Sequence, residues 1–433
     1  MPPLPPQPSG AADIPLEDLP PAGVAPRQKR EVSLRDSLTA HQKKWIIVVL
    51  AMVMFTHTMD FMVLLPLGPR LMNLFHIGPQ KFSFLVSIYA FTAGIFGFLG
   101  SLIFDRLDRK RALLGAYVGF LFGTLSCAVA PSYSLLLIAR ALAGAFGGLL
   151  SGISFAIIGD IFSIHERGGA TGKLMTSYSL AAIIGVPSGL MLATHFGWHA
   201  PFIAIVFAGL FALGFAIKII PSVRSHLKSH YSGIFAGITE NMGDSNSRRA
   251  LLTTFLMVLS QFVVIPFISP YLVANTGFPE ADLPLVYLLG GMMTALTGPF
   301  MGKLCDRYNA KHIFVRTGLL FLIPVFLITH LGQVAVALTL VATTAFFILS
   351  NARMVPAMTI ISSSIPPSRR GSFLSLNSCI QQLGSASASF MGGWVVTQMP
   401  QTMELQGFSH TAYLSATFGL FAYLVGRKIR IIA

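Results

Sequence analysis

From Trp45 onward the chain alternates long apolar runs with short polar connections, the runs falling near 45–67, 81–104, 112–130, 133–159, 170–194, 199–220, 250–272, 283–304, 312–331, 333–362, 371–397 and 409–427. Each approaches the about 20 residues a helix needs to cross a ~30 Å hydrocarbon layer. The pattern predicts an all-α membrane protein with twelve transmembrane helices. A polar stretch at 221–248 divides the spans six and six, predicting a helical bundle at 45–220, a cytoplasmic loop at 221–248, and a second bundle with a short basic tail at 249–433. Residues 1–44, with prolines at 2, 3, 5, 6, 8, 15, 20, 21 and 26 and no apolar core, predict a disordered cytoplasmic tail rather than a cleaved leader.

Composition points the same way. With 54% hydrophobic and 11% charged residues in 433, and a mean hydropathy of +0.70, the chain has too little polar surface for a soluble protein of its size. Its net charge of +14 raises the question of nucleic acid, but the basic residues sit in small clusters between apolar runs. That distribution sets topology instead. Alternate connections hold Arg106, Arg109, Lys110, Arg111, Arg167, Lys173, Arg224, Lys228, Arg248, Arg249, Arg307, Lys311, Arg369 and Arg370, whereas the opposite ones carry only Arg70 and Lys81. Both termini are therefore expected in the cytoplasm of a bacterial inner membrane. Cys127, Cys305 and Cys379 have neither disulfide nor metal-site spacing.

The halves resemble each other. Ser101-Leu102-Ile103-Phe104-Asp105-Arg106 after span two parallels Gly302-Lys303-Leu304-Cys305-Asp306-Arg307 after span eight, and Glu166-Arg167-Gly168 opening span five parallels Arg369-Arg370-Gly371 opening span eleven. Both fall at an offset of about 200 residues, the mark of an internal duplication. Two pseudo-symmetric six-helix bundles with a site at their interface make a rocking transporter.

The sequence Asp105-Arg106-Leu107-Asp108-Arg109-Lys110 is similar to the D-R-x-G-R-[KR] loop of the major facilitator superfamily, with Asp108 at the usual glycine. Arg140 and Gly144 on span four resemble the R-x-x-x-G motif of drug–proton antiporters. Gly185-Val186-Pro187-Ser188-Gly189, followed by Phe196-Gly197-Trp198, resembles the signature of the sugar-efflux, arabinose-efflux-permease-like branch. The resemblance implies that Asp105, Arg106, Arg109 and Lys110 form a conformational latch against the N-terminus of span eleven, near Gly371 and Ser372, where free N–H groups attract an anion. Asp306 and Arg307 would supply a mirrored contact with span five. The alternative is a basic cluster that only sets topology.

Within the spans, ionisable residues are few, and each is costly unless it faces protein or water. Asp60 lies seven residues before the outer end of span one and Arg140 seven after the outer start of span four, so both sit roughly 10 Å below the surface. An Asp60–Arg140 ion pair is expected, acting as a proton switch or as a fixed structural pair. A dry interior favours the neutral acid and a nearby guanidinium the carboxylate, so their separation would decide. His57, on the same helical face as Asp60, is expected either to relay protons or simply to pack. Arg353 on span ten either binds an anionic or carbonyl-bearing substrate or satisfies backbone carbonyls freed near Pro356. Gln261, Asn351, Asn377, Gln381 and Gln382 are candidates to line a substrate cavity, although interhelical hydrogen bonds use the same residue types. Gly144, Gly185, Pro187 and Gly189 are expected to allow close packing and a bend.

The sequence has no Gly-rich nucleotide loop and no His/Cys metal cluster, so neither enzyme activity nor a cofactor is expected. The expectation is secondary active transport, with proton-coupled efflux of a drug or sugar-like metabolite by a monomer as the leading form. Uptake or facilitated diffusion is the alternative, and a transporter-like receptor a more distant one.

Overall fold

The computed structural model describes residues 38–104, 107–223, 234–366, 369–399 and 402–432. It is helical almost throughout. Ten helical segments among the described residues are long and apolar enough to cross a membrane. Two further helices, Arg370–Val395 and Phe408–Gly426, follow them.

Helix α1 (Ala40–Val63) starts at a capping box in which Gln42 N–H donates to Thr39 Oγ1 at 3.3 Å and Thr39 N–H to Gln42 Oε1 at 2.9 Å. This closes the orphan donors of the first turn and corrects the expected tail: residues 40–44 are helical, while 1–37 lie outside the described residues. Pro66 and Pro69 interrupt the apolar run, so its end becomes a separate short helix, α2 (Gly68–Phe75). Helices α3 (Pro79–Phe104), α4 (Arg109–Ala128) and α5 (Tyr133–Ile161) follow, with Asp108 and Ser132 capping the last two.

The fifth run is composite. Helix α6 (Ile164–Leu180) passes through a π turn at Ala181–Gly185 into α7 (Val186–Phe196). Pro187 cannot continue an α ladder, and the widened turn, with Val186 N–H donating to Ala181 O, absorbs the interruption. Helix α8 (Ala200–Ile219) completes the first set of helices.

The expected central loop is partly helical. Residues 224–233 lie outside the described residues, but α9 (Ile234–Gly243) precedes α10 (Ser245–Phe262), which Asp244 caps. Pro266 again splits a run, giving α11 (Ile265–Asn275). Then come α12 (Leu283–Arg307), α13 (Ala310–Thr329), α14 (Val336–Ser363), α15 (Arg370–Val395) and α16 (Phe408–Gly426). Between the last two stands a two-stranded antiparallel hairpin, β1 (Thr397–Gln398) with β2 (Leu405–Gln406), which hydrophobic patterning did not predict.

Helices α1 and α3–α8 pack among themselves, as do α10 and α12–α16. The seam between the sets consists of α3 against α15, the π turn and α7 against α12, and α2 against α11. Gly291 shows how close the seam is, since a Cβ there would lie 2.9 Å from the Ala182 carbonyl. Large apolar side chains such as Phe122, Ile138, Phe207, Leu296 and Ile323 are exposed on the outside, as lipid-facing helices require.

Candidate functional site

The most deeply buried charges of the first set meet between α1 and α5. Arg140 Nη1 donates to Asp60 Oδ2 at 2.8 Å and to the Asp60 carbonyl at 3.3 Å, and both side chains are 0% exposed. The Arg140 guanidinium lies 4.1 Å over the Tyr89 ring of α3, adding a cation–π contact. Thr124 and Cys127 of α4 stand against the pair, yet Asp60 Oδ1, Arg140 Nε and Arg140 Nη2 have no well-formed hydrogen bond among the described residues. One oxygen of the carboxyl is thus held by the guanidinium, and the other is buried beside Thr124.

His57 extends this cluster. Its Nδ1 lies 3.0 Å from the Tyr89 hydroxyl, and its ring stands edge-on to Phe120. Tyr89 therefore touches both the histidine and the guanidinium. Sequence reading passed it over because it is one aromatic among many in an apolar run. Small residues on α5 make room: a side chain at Gly144 would overlap the Tyr89 carbonyl, and a Cβ at Gly147 would lie 2.8 Å from His57 Nδ1. A Cβ at Gly189 of α7 would lie 2.7 Å from Val63, and one at Gly185, the last residue of the π turn, 3.2 Å from Met59. Phe61, next to Asp60, has its ring 5.4 Å from Tyr89 and 6.1 Å from Phe262 of α10, so it separates the pair from the second set of helices.

Arg353 is likewise wholly buried. Its Nη1 donates to Ser260 Oγ at 3.1 Å and its Nη2 to the Met257 carbonyl at 3.3 Å, while the guanidinium stacks 3.7 Å over Phe321. The carbonyl it satisfies belongs to α10, not to the turn near Pro356. Of the expected cavity residues, Asn377 is buried and accepts from Thr254 Oγ1 at 2.7 Å. Asn351 faces Gly298 of α12 with a buried Oδ1 that has no hydrogen-bond partner among the described residues. Gln261 and Gln381 are partly buried, and Gln382 packs on Gly94 at the seam. The structure spreads these groups over several helix contacts rather than gathering them at one point.

Asp105 and Arg106 of the expected latch lie outside the described residues. Arg109 Nε pairs with Asp160 Oδ2 at 3.0 Å, and Lys110 Nζ donates to the Ile217 carbonyl at 2.7 Å. Asp108 accepts from Lys110 N–H at 2.9 Å and from Ser222 Oγ. All these contacts tie α4 to α5 and α8 within one set. At the start of α15, Ser372 Oγ accepts from Asn241 Nδ2 at 3.1 Å, and Arg369 pairs with Glu240 at 3.4 Å, so α9 is seated there. Asp306 and Arg307 are exposed, with Arg307 5.7 Å over the neighbouring Tyr308 ring.

At the opposite end, Arg70 of α2 pairs across the seam with Glu280 at 3.0 Å and also donates to the Ala193 carbonyl. Gly68 abuts Pro270 of α11 there, and a Cβ would lie 2.8 Å from it. The two sets are closed against each other at this end. Toward the other end, α6 meets α12 only weakly.

The family model described as the Major Facilitator Superfamily matches residues 50–243 and 250–430. The chain is 24% identical over 367 residues to the uncharacterized MFS-type transporter YceJ of Bacillus subtilis (strain 168), covering 84% of this chain and 92% of that protein. Among solved structures, a D-xylose–proton symporter superposes with a TM-score of 0.73 at 16% identity, covering 89% of this chain and 97% of the other. A bacterial homologue of the human lysosomal transporter Spinster, in an inward-facing and unoccupied conformation, gives 0.72 at 14% identity, covering 90% and 98%. The chain belongs to the major facilitator superfamily and is a multi-pass membrane protein, a secondary transporter of a small molecule.

Proposed function

We propose that the chain works as a monomer of twelve spans, in two six-helix bundles at 45–220 and 249–433, and exports a small organic molecule across a bacterial inner membrane in exchange for protons. Both termini lie in the cytoplasm, and the α2 end faces outward. The observation that carries the coupling is the wholly buried Asp60–Arg140 pair, the one carboxylate and guanidinium joined between α1 and α5 among the described residues. While Arg140 holds Oδ2, Asp60 stays ionised. Movement of α5 relative to α1 withdraws the guanidinium, and a carboxylate left alone in a dry interior takes up a proton. Return of Arg140 expels it. His57 and Tyr89 offer a hydrogen-bonded path beside the pair, and Gln261, Asn351, Asn377 and Gln381 contribute polar groups to substrate binding as the bundles rearrange.

Asp105, Arg106, Arg109 and Lys110 latch the cytoplasmic side, with Asp306 and Arg307 as their counterpart. The π turn and Pro187 give span five its hinge, and Gly144, Gly185 and Gly189 keep the surrounding helices close. Sealing at the α2 end, with slack between α6 and α12, supports an inward-facing state of an alternating-access cycle.

Reconstituted vesicles of known orientation test this reading. A pH gradient should drive substrate against its own gradient, and Asp60→Asn should abolish that while sparing substrate exchange. Full gradient-driven transport by Asp60→Asn overturns the proton role. The fold of a proton symporter favours uptake as the second reading; accumulation in the direction of proton flow would establish it over export.

A further inference from the structure

The backbones of α1 and α10 scarcely approach each other, yet a pair of rings bridges them. Phe61 of α1 and Phe262, the last residue of α10, have ring centroids 6.1 Å apart with planes at 42°. Aromatic pairs favour such tilted contacts at this separation. The pairing follows the duplication of the sequence. Phe61 lies as far from Phe262 along the chain as Asp105 does from Asp306 and Pro69 from Pro270, so the two rings are the same position met twice. Equivalent residues touch each other only near an axis that relates the halves, and a contact there is remade whenever the halves swing.

From Phe61 the contacts reach the buried charges in two steps. Its ring is 5.4 Å from that of Tyr89, and the Tyr89 ring lies 4.1 Å from the Arg140 guanidinium that holds Asp60 Oδ2. Tyr89 and Arg140 are wholly buried, in an interior packed closely enough to pass a displacement on. Phe61 and Phe262 are only half-buried. The chain of contacts thus runs from the second helix set, across the seam, to the ion pair of the first.

We infer that Phe61 is a positioning residue for proton exchange at Asp60. With Phe262 against it, Phe61 keeps Tyr89 in place under Arg140 and the ion pair stays closed. When the sets part here, Tyr89 loses that support, Arg140 withdraws, and Asp60 takes up a proton from the water admitted to the seam. This rests on the proton-coupled reading above and adds to it what makes Arg140 move.

The charged or titratable groups around Asp60 among the described residues are Arg140 of α5, Tyr89 of α3, Cys127 of α4 and, on its own helix, His57, with Tyr178 of α6 beyond Tyr89. Neither phenylalanine carries a charge. Replacing one removes support without removing an electrostatic partner, so its effect on Asp60 must arrive through Tyr89 and Arg140.

The test uses the full chain in lipid and requires no substrate. Infrared difference spectra over a pH series follow the carboxylic-acid C=O stretch of Asp60, identified by its loss in Asp60→Asn. An aromatic pair is worth about two- to twelvefold in an equilibrium, so Phe61→Leu and Phe262→Leu should each move the midpoint of that band to higher pH, by up to about one unit. Because the rings act through a single contact, Phe61→Leu/Phe262→Leu should move it no further than either single change. Phe61→Tyr, which keeps the ring, should leave it near the wild-type position. A midpoint unmoved by Phe262→Leu, or shifts that add in the double variant, overturns the positioning role. Phe262 touches neither Asp60 nor Arg140, so Phe262→Leu decides alone should Phe61→Leu fail to fold. If instead no band is lost in Asp60→Asn, the proton reading itself is overturned, and the role of Phe61 with it.

Discussion

Arg70 Nε donates to Glu280 Oε1 at 3.0 Å across the seam, while the same guanidinium reaches the Ala193 carbonyl at the end of α7. One side chain thereby joins α2, α7 and the short turn that leads into α12. The pair is partly exposed, at 28% and 37%, so it is worth at most the 0.2–1 kcal/mol of a surface ion pair and weakens with salt. Glu280→Gln should shift the population with this end closed by up to about fivefold. Spin labels at Asn73 and Ala281 would read the shift as a longer distance distribution, and Arg70→Glu/Glu280→Arg should recover part of it.

The Asp60–Arg140 pair obeys a different rule because no water screens it. Removing one partner of a buried pair strands the other charge, at a cost of about 3–5 kcal/mol. Arg140→Ala should therefore lower thermal stability in detergent far more than Asp60→Ala/Arg140→Ala does. A double variant as unstable as Arg140→Ala would show that the guanidinium acts by packing over Tyr89 rather than through its charge.

Arg353 tests shape apart from charge. A lysine keeps the positive charge but cannot stack flat on Phe321 while donating to both Ser260 and Met257. Arg353→Lys is expected to destabilise the protein by about 1–3 kcal/mol, measurable as a lower unfolding temperature. Substrate affinity unchanged in both Arg353→Lys and Arg353→Ala would remove this residue from the substrate site.

Two glycines on α5 give a controlled contrast. A Cβ at Gly148 would collide with the Ala93 carbonyl of α3, whereas one at Gly152 meets nothing within 4 Å. Gly148→Ala should cost about 1–3 kcal/mol through backbone displacement. Gly152→Ala should be neutral or gain up to about 1 kcal/mol of helix propensity. Parallel thermal-unfolding curves decide the matter.

Apolar run length fixed where most helices begin and end to within a few residues, because a lipid environment leaves the backbone no alternative to internal hydrogen bonding, though not where the runs at 170–194 and 250–272 break into two helices. The depth of Asp60 and Arg140 was legible too, since rise per residue converts sequence position into height. Contacts reached by azimuth were not. Tyr89 beneath Arg140, Asp160 against Arg109, and Arg353 stacked on Phe321 depend on how helices rotate about their axes, which no span-length argument contains. The same holds for elements outside the apolar runs. Helix α9 is seated at the start of α15 by contacts between segments far apart in the chain, Asn241 with Ser372 and Glu240 with Arg369. Sequence set the height of each group in the bilayer; packing of side chains between helices decided which of them touch.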